Sequence, residues 1–368
     1  MKVVIRVDAS LQIGTGHVMR CLTLAEALKG KSVQVEFICR EHEGNLIDFI
    51  QGKGFKVHVL SMTVNDIEMP RTSTLEAENV LDHAHWLGAT QQQDADECKV
   101  ILKKISPDWL VIDHYAIDET WQMALQEAYQ QLMVIDDLAD RRHQCDVLLD
   151  QTFGRQPQDY QKLVPDNCQM LLGSQYALLR SEFSLWREYS LKRRENPEFK
   201  KLLITMGGVD QNNDTGQILE ELRNGALPAD IEITVVMGET SPHLDEVQQQ
   251  AKTLPYKIEV KSNVSNMAEI MANADFAIGA SGATTWERCA LGLPSAVMVL
   301  ADNQKDIANI LMHENAVIIL DYQSLSRGIE NVKFLSKENL LEMSIKALKM
   351  VDSRGAQRVV DIMCETIL

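Results

Sequence analysis

Short runs of branched aliphatic residues recur along this chain, and most are followed by a stretch whose apolar positions repeat at helical spacing. Residues 3–7, 33–38, 56–60, 109–112, 132–135 and 147–149 are such runs, rich in Val, Ile and Leu and of strand length. Helical patterns fall between them at 18–28, 46–51 and 94–105. Apolar strands alternating with helices predict a parallel sheet covered on both faces. Residues 62–99 interrupt the pattern with a polar, acidic stretch containing Trp86-Leu87-Gly88, which reads as a loop leading into the 94–105 helix.

The alternation restarts at residue 202. Strands are predicted at 202–205, 231–237, 258–260, 276–278, 295–300 and 316–320. Helices are predicted at 215–223, 267–272, 285–291 and 304–312, with two more at 337–350 and 357–367. Charged, helical residues 181–199, ending near Asn196-Pro197, separate the halves. The expected division is an N-terminal domain over 1–180, a linker over 181–199, a C-terminal domain over 200–350 and a terminal helix over 351–368. Both domains read as α/β and Rossmann-like, with parallel sheets whose carboxyl ends are expected to face an inter-domain cleft.

Composition narrows the function. A chain of 368 residues with 45% hydrophobic and 24% charged residues builds globular cores of two-domain size. Its formal charge of −17 argues against a nucleic-acid binder and against adhesion to anionic lipid, since both need clustered Lys and Arg. No apolar run reaches the roughly 18 residues of a transmembrane helix. The N-terminus reads as a first strand rather than a signal peptide, so a cytoplasmic location is expected. The seven cysteines include no C-x-x-C and read as reduced and mostly buried. His83-x-His85 lacks companion ligands and reads as a solvated helix or loop; no metal and no cofactor are expected.

Two loops carry candidate chemistry. Directly after the first strand, Gly14-Thr15-Gly16-His17 opens a helix, where Gly14 and Gly16 allow a ligand close to the backbone. The helix N-terminus disfavours the imidazolium form of His17, which suits a general base. A simple hydrogen-bonding role at the helix start is the alternative. In the second half, Ser281-Gly282-Ala283-Thr284-Thr285-Trp286-Glu287 has the small residues and hydroxyls of a diphosphate cradle. Glu287 would accept from a ribose diol, or only complement the helix dipole. Gly207-Gly208 follows another strand, and Asn303-Gln304 starts another helix. Met237 and Val264 end neighbouring strands and would flank a nucleobase through their backbone groups. Ile112-Asp113-His114-Tyr115 and Ile135-Asp136-Asp137 end two first-half strands; Tyr115 ranks first among them as a ligand contact, and Asp113 or His114 would orient His17.

These motifs resemble a known family. Arg6-Val7-Asp8-Ala9-Ser10 followed by Gly14-Thr15-Gly16-His17-Val18-Met19-Arg20-Cys21 is similar to the start of the UDP-2,4-diacetamido-2,4,6-trideoxy-β-L-altropyranose hydrolases of pseudaminic acid biosynthesis. Trp86-Leu87-Gly88, Tyr176-Ala177-Leu178-Leu179-Arg180, Met206-Gly207-Gly208-Val209-Asp210 and Asp302-Asn303-Gln304 extend the likeness over about residues 1–310. The resemblance implies a GT-B fold, with the sugar held by the N-terminal domain and UDP by the C-terminal one. It also implies metal-independent release of UDP by water, yielding a free sugar for nonulosonic acid synthesis. By the same resemblance His17 is the essential histidine, and Tyr115 and Asn303 contact sugar or phosphate. Nothing carries over beyond about residue 320.

The reading therefore expects His17 to activate a water that inverts the anomeric carbon. Its rivals are a GT-B glycosyltransferase passing a related UDP-amino sugar to an alcohol, and a non-catalytic UDP-sugar-binding protein. A dinucleotide oxidoreductase fits poorly, because the first loop lacks the third glycine and the following acid of that motif.

Overall fold

The computed structural model describes residues 1–62, 81–223, 227–282, 284–300 and 304–366. Two compact units divide the chain: Met1–Leu178 together with Ala356–Leu368, and Leu179–Gly355.

The first unit is built on seven parallel strands: β1 (Lys2–Val7), β2 (Gln34–Arg40), β3 (Lys56–Leu60), β4 (Trp109–Asp113), β5 (Gln131–Ile135), β6 (Val147–Asp150) and β7 (Gln169–Leu172). Their order is β3-β2-β1-β4-β5-β6-β7, which reverses direction beside β1. Alternation along β1 explains the two-sided cover. Val3, Ile5 and Val7 join a core with Val18, Cys21, Leu24 and Leu28 of α1 (Gly16–Gly30). Val4 points the other way, into a core with Cys98 and Leu102 of α3 (Gln91–Ile105) and Trp121 of α4 (Glu119–Ala124), α2 being Ile47–Gly52. Each such fully buried side chain stabilises the fold by about 1.5–3 kcal/mol before entropy is charged against it.

Beside Val4, the buried Arg6 breaks the apolar rule. Its guanidinium donates to Asp8 at 2.6 Å and to both oxygens of Asp94 at 2.7 and 3.2 Å. Arg40 joins Asp94 at 2.8 Å and Glu97 at 2.6 Å, so each buried cation is matched by carboxylates. The paired geometry holds the Asp8 carboxyl well below its ordinary range, although burial alone would raise it.

The second unit carries six parallel strands, β8 (Lys201–Thr205), β9 (Glu232–Met237), β10 (Lys257–Ser262), β11 (Phe276–Ala280), β12 (Ser295–Met298) and β13 (Val317–Leu320). Their order is β10-β9-β8-β11-β12-β13, again with a reversal beside the first strand of the unit. Its helices are α5 (Ser181–Arg194), α6 (Asp214–Leu222), α7 (Leu244–Ala251), α8 (Met267–Asn273), α9 (Thr284–Ala290), α10 (Lys305–His313), α11 (Leu325–Lys333) and α12 (Lys337–Leu348).

Two segments differ from the sequence expectation. Residues 181–199, expected to link domains, instead pack: Arg194 at the end of α5 is buried and donates to the carbonyls of Met271, Ala274 and Leu291 at 2.9–3.1 Å. The terminal helix α13 (Gly355–Glu365) completes the first unit's core through the fully buried Val359, Val360 and Met363. Trp109 Nε1 donates to the Met363 carbonyl at 3.1 Å and fixes it there. Strand β7 and helices α4, α7 and α11 were not expected. Six of the seven cysteines are buried, and Cys364 is partly so. No helix among the described residues is long and apolar enough to cross a membrane.

Candidate active site

Register places the first cluster. Val7 of β1 pairs with Asp113 of β4, so the loop after β1 and the residues after β4 share one carboxyl edge of the sheet. The Gly14 N–H closes a turn onto the Ser10 carbonyl at 2.9 Å, and Gly16 starts α1 with His17 in its first turn. Nothing stands within 4 Å of where a Cβ would project from Gly14 or Gly16, so the backbone there is open to a ligand.

His17 Nδ1 lies 2.6 Å from Asp113 Oδ1. A carboxylate only accepts, so Nδ1 carries the proton, and in the neutral ring the lone pair is on Nε2. Arg20, one helical turn after His17 and on the same face, grips Asp113 with both arms at 2.6 and 2.7 Å. Its third nitrogen donates to Asp137 at 2.8 Å. Burial by itself would raise the Asp113 carboxyl; Arg20 and then His17 override it and hold the group well below the usual carboxylate range. Asp113 is therefore ionised near neutral pH.

Tyr115, ranked above the aspartates as a ligand contact, joins the same cluster. Its hydroxyl donates to Asp137, its ring meets His17 edge-on at 4.6 Å, and it is only 4% exposed. Burial, with Asp137 next, pushes its phenol well above the ordinary value, so it remains a donor. His114 does not orient His17: its Nδ1 accepts from the Ala116 N–H at 3.1 Å and its Nε2 faces Asp8 at 3.3 Å. His83 lies in a turn and is partly exposed, and its ring packs 4.4 Å from that of Trp86 and 5.4 Å from that of Tyr115. Sequence reasoning gave Arg20 and Trp86 no role of their own and ranked Asp137 below Tyr115 as a ligand contact. The spacing of His17 and Arg20 was the available signal for one of them.

In the second unit the glycine turn after β8 and the end of β9 interlock. A Cβ on Gly238 would fall 1.9 Å from the Gly208 carbonyl oxygen, so only glycine fits. Gly207 takes a φ of +105° and faces open space. Asp210 then caps α6 by accepting from the Asp214 and Thr215 N–H groups at 2.8 and 3.1 Å. Met237 pairs with Ser262, which brings Met237 and the segment holding Val264 to adjoining strand ends; the Met237 side chain itself is buried in the core.

The loop after β11 is supported from beneath by Arg288, 1% exposed. It donates to the Ala280 carbonyl at 2.8 Å, Thr285 Oγ1 at 3.0 Å and Thr284 Oγ1 at 3.2 Å. Burial pulls its guanidinium down to about 10, and among the described residues it forms no ion pair. Thr285, expected to meet phosphate, is turned inward: its hydroxyl accepts from Arg288 and its N–H donates to the Gly282 carbonyl at 2.9 Å. Ser281 Oγ is buried with no hydrogen-bond partner among the described residues. Gln304 stands 3.8 Å from the Cβ position of Gly282, while its Oε1 accepts from the Leu300 N–H at 3.0 Å. Glu287 pairs with Arg180 at 3.3 Å; burial raises its carboxyl and Arg180 opposes the rise. Asn303 lies outside the described residues.

Residues 202–359 match the glycosyltransferase family 28 C-terminal domain. The spinosyn rhamnosyltransferase SpnG, solved with thymidine diphosphate, superposes with a TM-score of 0.67 over 100% of both chains at 15% identity. The fold is GT-B. By sequence this GT-B chain is 28% identical to the UDP-2,4-diacetamido-2,4,6-trideoxy-beta-L-altropyranose hydrolase of Campylobacter jejuni subsp. jejuni serotype O:2, over 84% of this chain and 96% of that one. The likeness read from its motifs thus extends across most of its length. It is also 27% identical to the uncharacterized protein MJ1062 of Methanocaldococcus jannaschii over 83% of this chain. That match spans only 57% of the archaeal protein's length.

Proposed function

We propose that this chain hydrolyses a UDP-activated diacetamido-trideoxy sugar, with His17 as general base and inversion at the anomeric carbon. The observation that carries the reading is the 2.6 Å contact between His17 Nδ1 and Asp113, which leaves Nε2 as an oriented proton acceptor beside an open glycine loop. Water gives its proton to Nε2 while its oxygen bonds to C1; the bond from C1 to the phosphate oxygen breaks, and UDP leaves with the electron pair. The second unit is assigned the nucleotide. Gly207, Gly208, Gly282 and Thr284 supply backbone and hydroxyl contacts, and Arg288 adds positive potential beneath the loop. Met237 and Val264 are assigned to the base, Glu287 to the ribose, and Asn303 and Gln304 to the sugar or phosphate. Likeness to the Campylobacter hydrolase supports the substrate class, and we assign the free sugar so formed to pseudaminic acid synthesis.

The test is turnover in ¹⁸O-water. Label in the released sugar is expected, together with loss of about 10²–10⁴-fold in kcat for His17→Leu at unchanged UDP affinity. Label in UDP, or a His17→Leu variant of near-native rate, refutes the assignment. A glycosyltransferase reading is favoured by the family 28 domain and by SpnG. It requires that an alcohol acceptor, and not water, accelerate UDP release.

A further inference from the structure

We propose that Trp86 and His83 form an aromatic wall beside His17 that receives the methyl-bearing face of the sugar and sets its specificity. This rests on the hydrolase reading above and deepens it. The 3₁₀ turn Ala84–Leu87 carries the wall, and it is held from below. Leu87 is 1% exposed and belongs to the core that contains Leu60 and Ala95. Gly88, at a φ of +67°, sits so close to the floor that a Cβ would lie 2.8 Å from His42 Cε1. A larger residue at 88 would lift the turn.

From that anchored turn the rings run without a break to the base. Trp86 stacks on Tyr115 at 5.7 Å and 25°, His83 packs on both, and Tyr115 meets His17 at 4.6 Å. Tyr115 is buried, whereas Trp86 and His83 are partly exposed. Among the described residues neither the Trp86 indole N–H nor a His83 ring nitrogen has a hydrogen-bond partner, although every polar group of Asp113 and Arg20 near His17 does. Aromatic faces with an unused polar edge match a ligand that is apolar on one side and carries amide groups. The sugar in the Campylobacter hydrolase's name has that character: two acetamido groups and a 6-deoxy carbon give it three methyls. Burial, the first cause, lowers the His83 imidazole below its ordinary value, so the wall stays uncharged at neutral pH.

The experiment compares native protein with Trp86→Ala, Trp86→Phe and His83→Ala. Steady-state kinetics use a UDP-2,4-diacetamido-2,4,6-trideoxyhexose and UDP-N-acetylglucosamine, and saturation-transfer NMR uses the free diacetamido sugar. An apolar contact of this size discriminates by about 10–200-fold. Trp86→Ala is expected to raise KM for the diacetamido substrate at least about tenfold, mostly erasing its preference over the N-acetylglucosamine compound. Trp86→Phe should recover most of the loss, UDP affinity should hold, and methyl saturation should vanish in Trp86→Ala. Unchanged KM and unchanged methyl saturation in Trp86→Ala and His83→Ala overturn the wall while leaving the hydrolase intact. Should native protein turn over no UDP-sugar, the hydrolase reading fails, and the NMR still decides: methyl saturation lost in Trp86→Ala supports the wall, and its absence from native protein refutes it.

Discussion

Asp113 holds His17 and Arg20 at once, its Oδ1 receiving His17 Nδ1 at 2.6 Å and an Arg20 nitrogen at 2.7 Å. One carboxylate therefore fixes the tautomer of the proposed base and is itself kept ionised by a buried cation. The relationship is the general one in which a buried acid orients an imidazole.

Asp113→Asn tests it. The amide must turn either its NH₂ toward Arg20, a donor, or toward His17, where it reverses the tautomer. A fall in kcat of two to four orders of magnitude is expected, with UDP affinity preserved by calorimetry. Stability should drop by about 3 kcal/mol, because Arg20 keeps only Asp137. A kcat within tenfold of native would show that the carboxylate does not position the base.

The interlock at Gly238 gives a second expectation. Alanine there cannot coexist with the Gly208 carbonyl 1.9 Å away, so the turn at 207–208 must move. Gly238→Ala should bind UDP at least about tenfold more weakly and lose about 1–3 kcal/mol of stability by denaturant titration. Undiminished UDP binding would remove Gly207 and Gly208 from the nucleotide site.

His143 supplies a dependence on pH. Burial, with help from Arg141, pulls its imidazole down to about 4, and its Nδ1 accepts from the Gln122 amide at 3.0 Å. The unfolded chain, with an ordinary value of about 6.5, binds the proton first as pH falls. Stability from this residue is thus complete above about pH 6.5 and is lost on descending toward about 4, at up to about 1.4 kcal/mol per pH unit. His143→Gln should be less stable than native at pH 7 and converge with it near pH 4.5 in urea titrations. A constant gap across that range contradicts the assignment.

Much of this was legible beforehand, and the gaps have physical causes. The buried strands announced themselves as aliphatic runs because a parallel sheet covered on both faces demands them. Strand β7 did not, since four edge residues, Gln169–Leu172, make too short a run. Helix α7, Leu244–Ala251, is mostly Asp, Glu and Gln, with Val247 and Ala251 its buried residues. At the site, the loop of His17 was visible as a strand followed by glycines. The packing of Trp86 and His83 on Tyr115 was not, because a 3₁₀ turn has no periodicity and its neighbours in space lie far along the chain. The packing of α5 and α13 was equally hidden, as an amphipathic helix does not say which core it will cover.

The placement of α13 carries a consequence for biosynthesis. Residues 179–355 form a contiguous unit and emerge from the ribosome with all their partners present. The first 178 residues emerge earlier but lack Val359, Val360 and Met363, leaving part of their core open until the α13 residues have been made. The half that is made first is finished last.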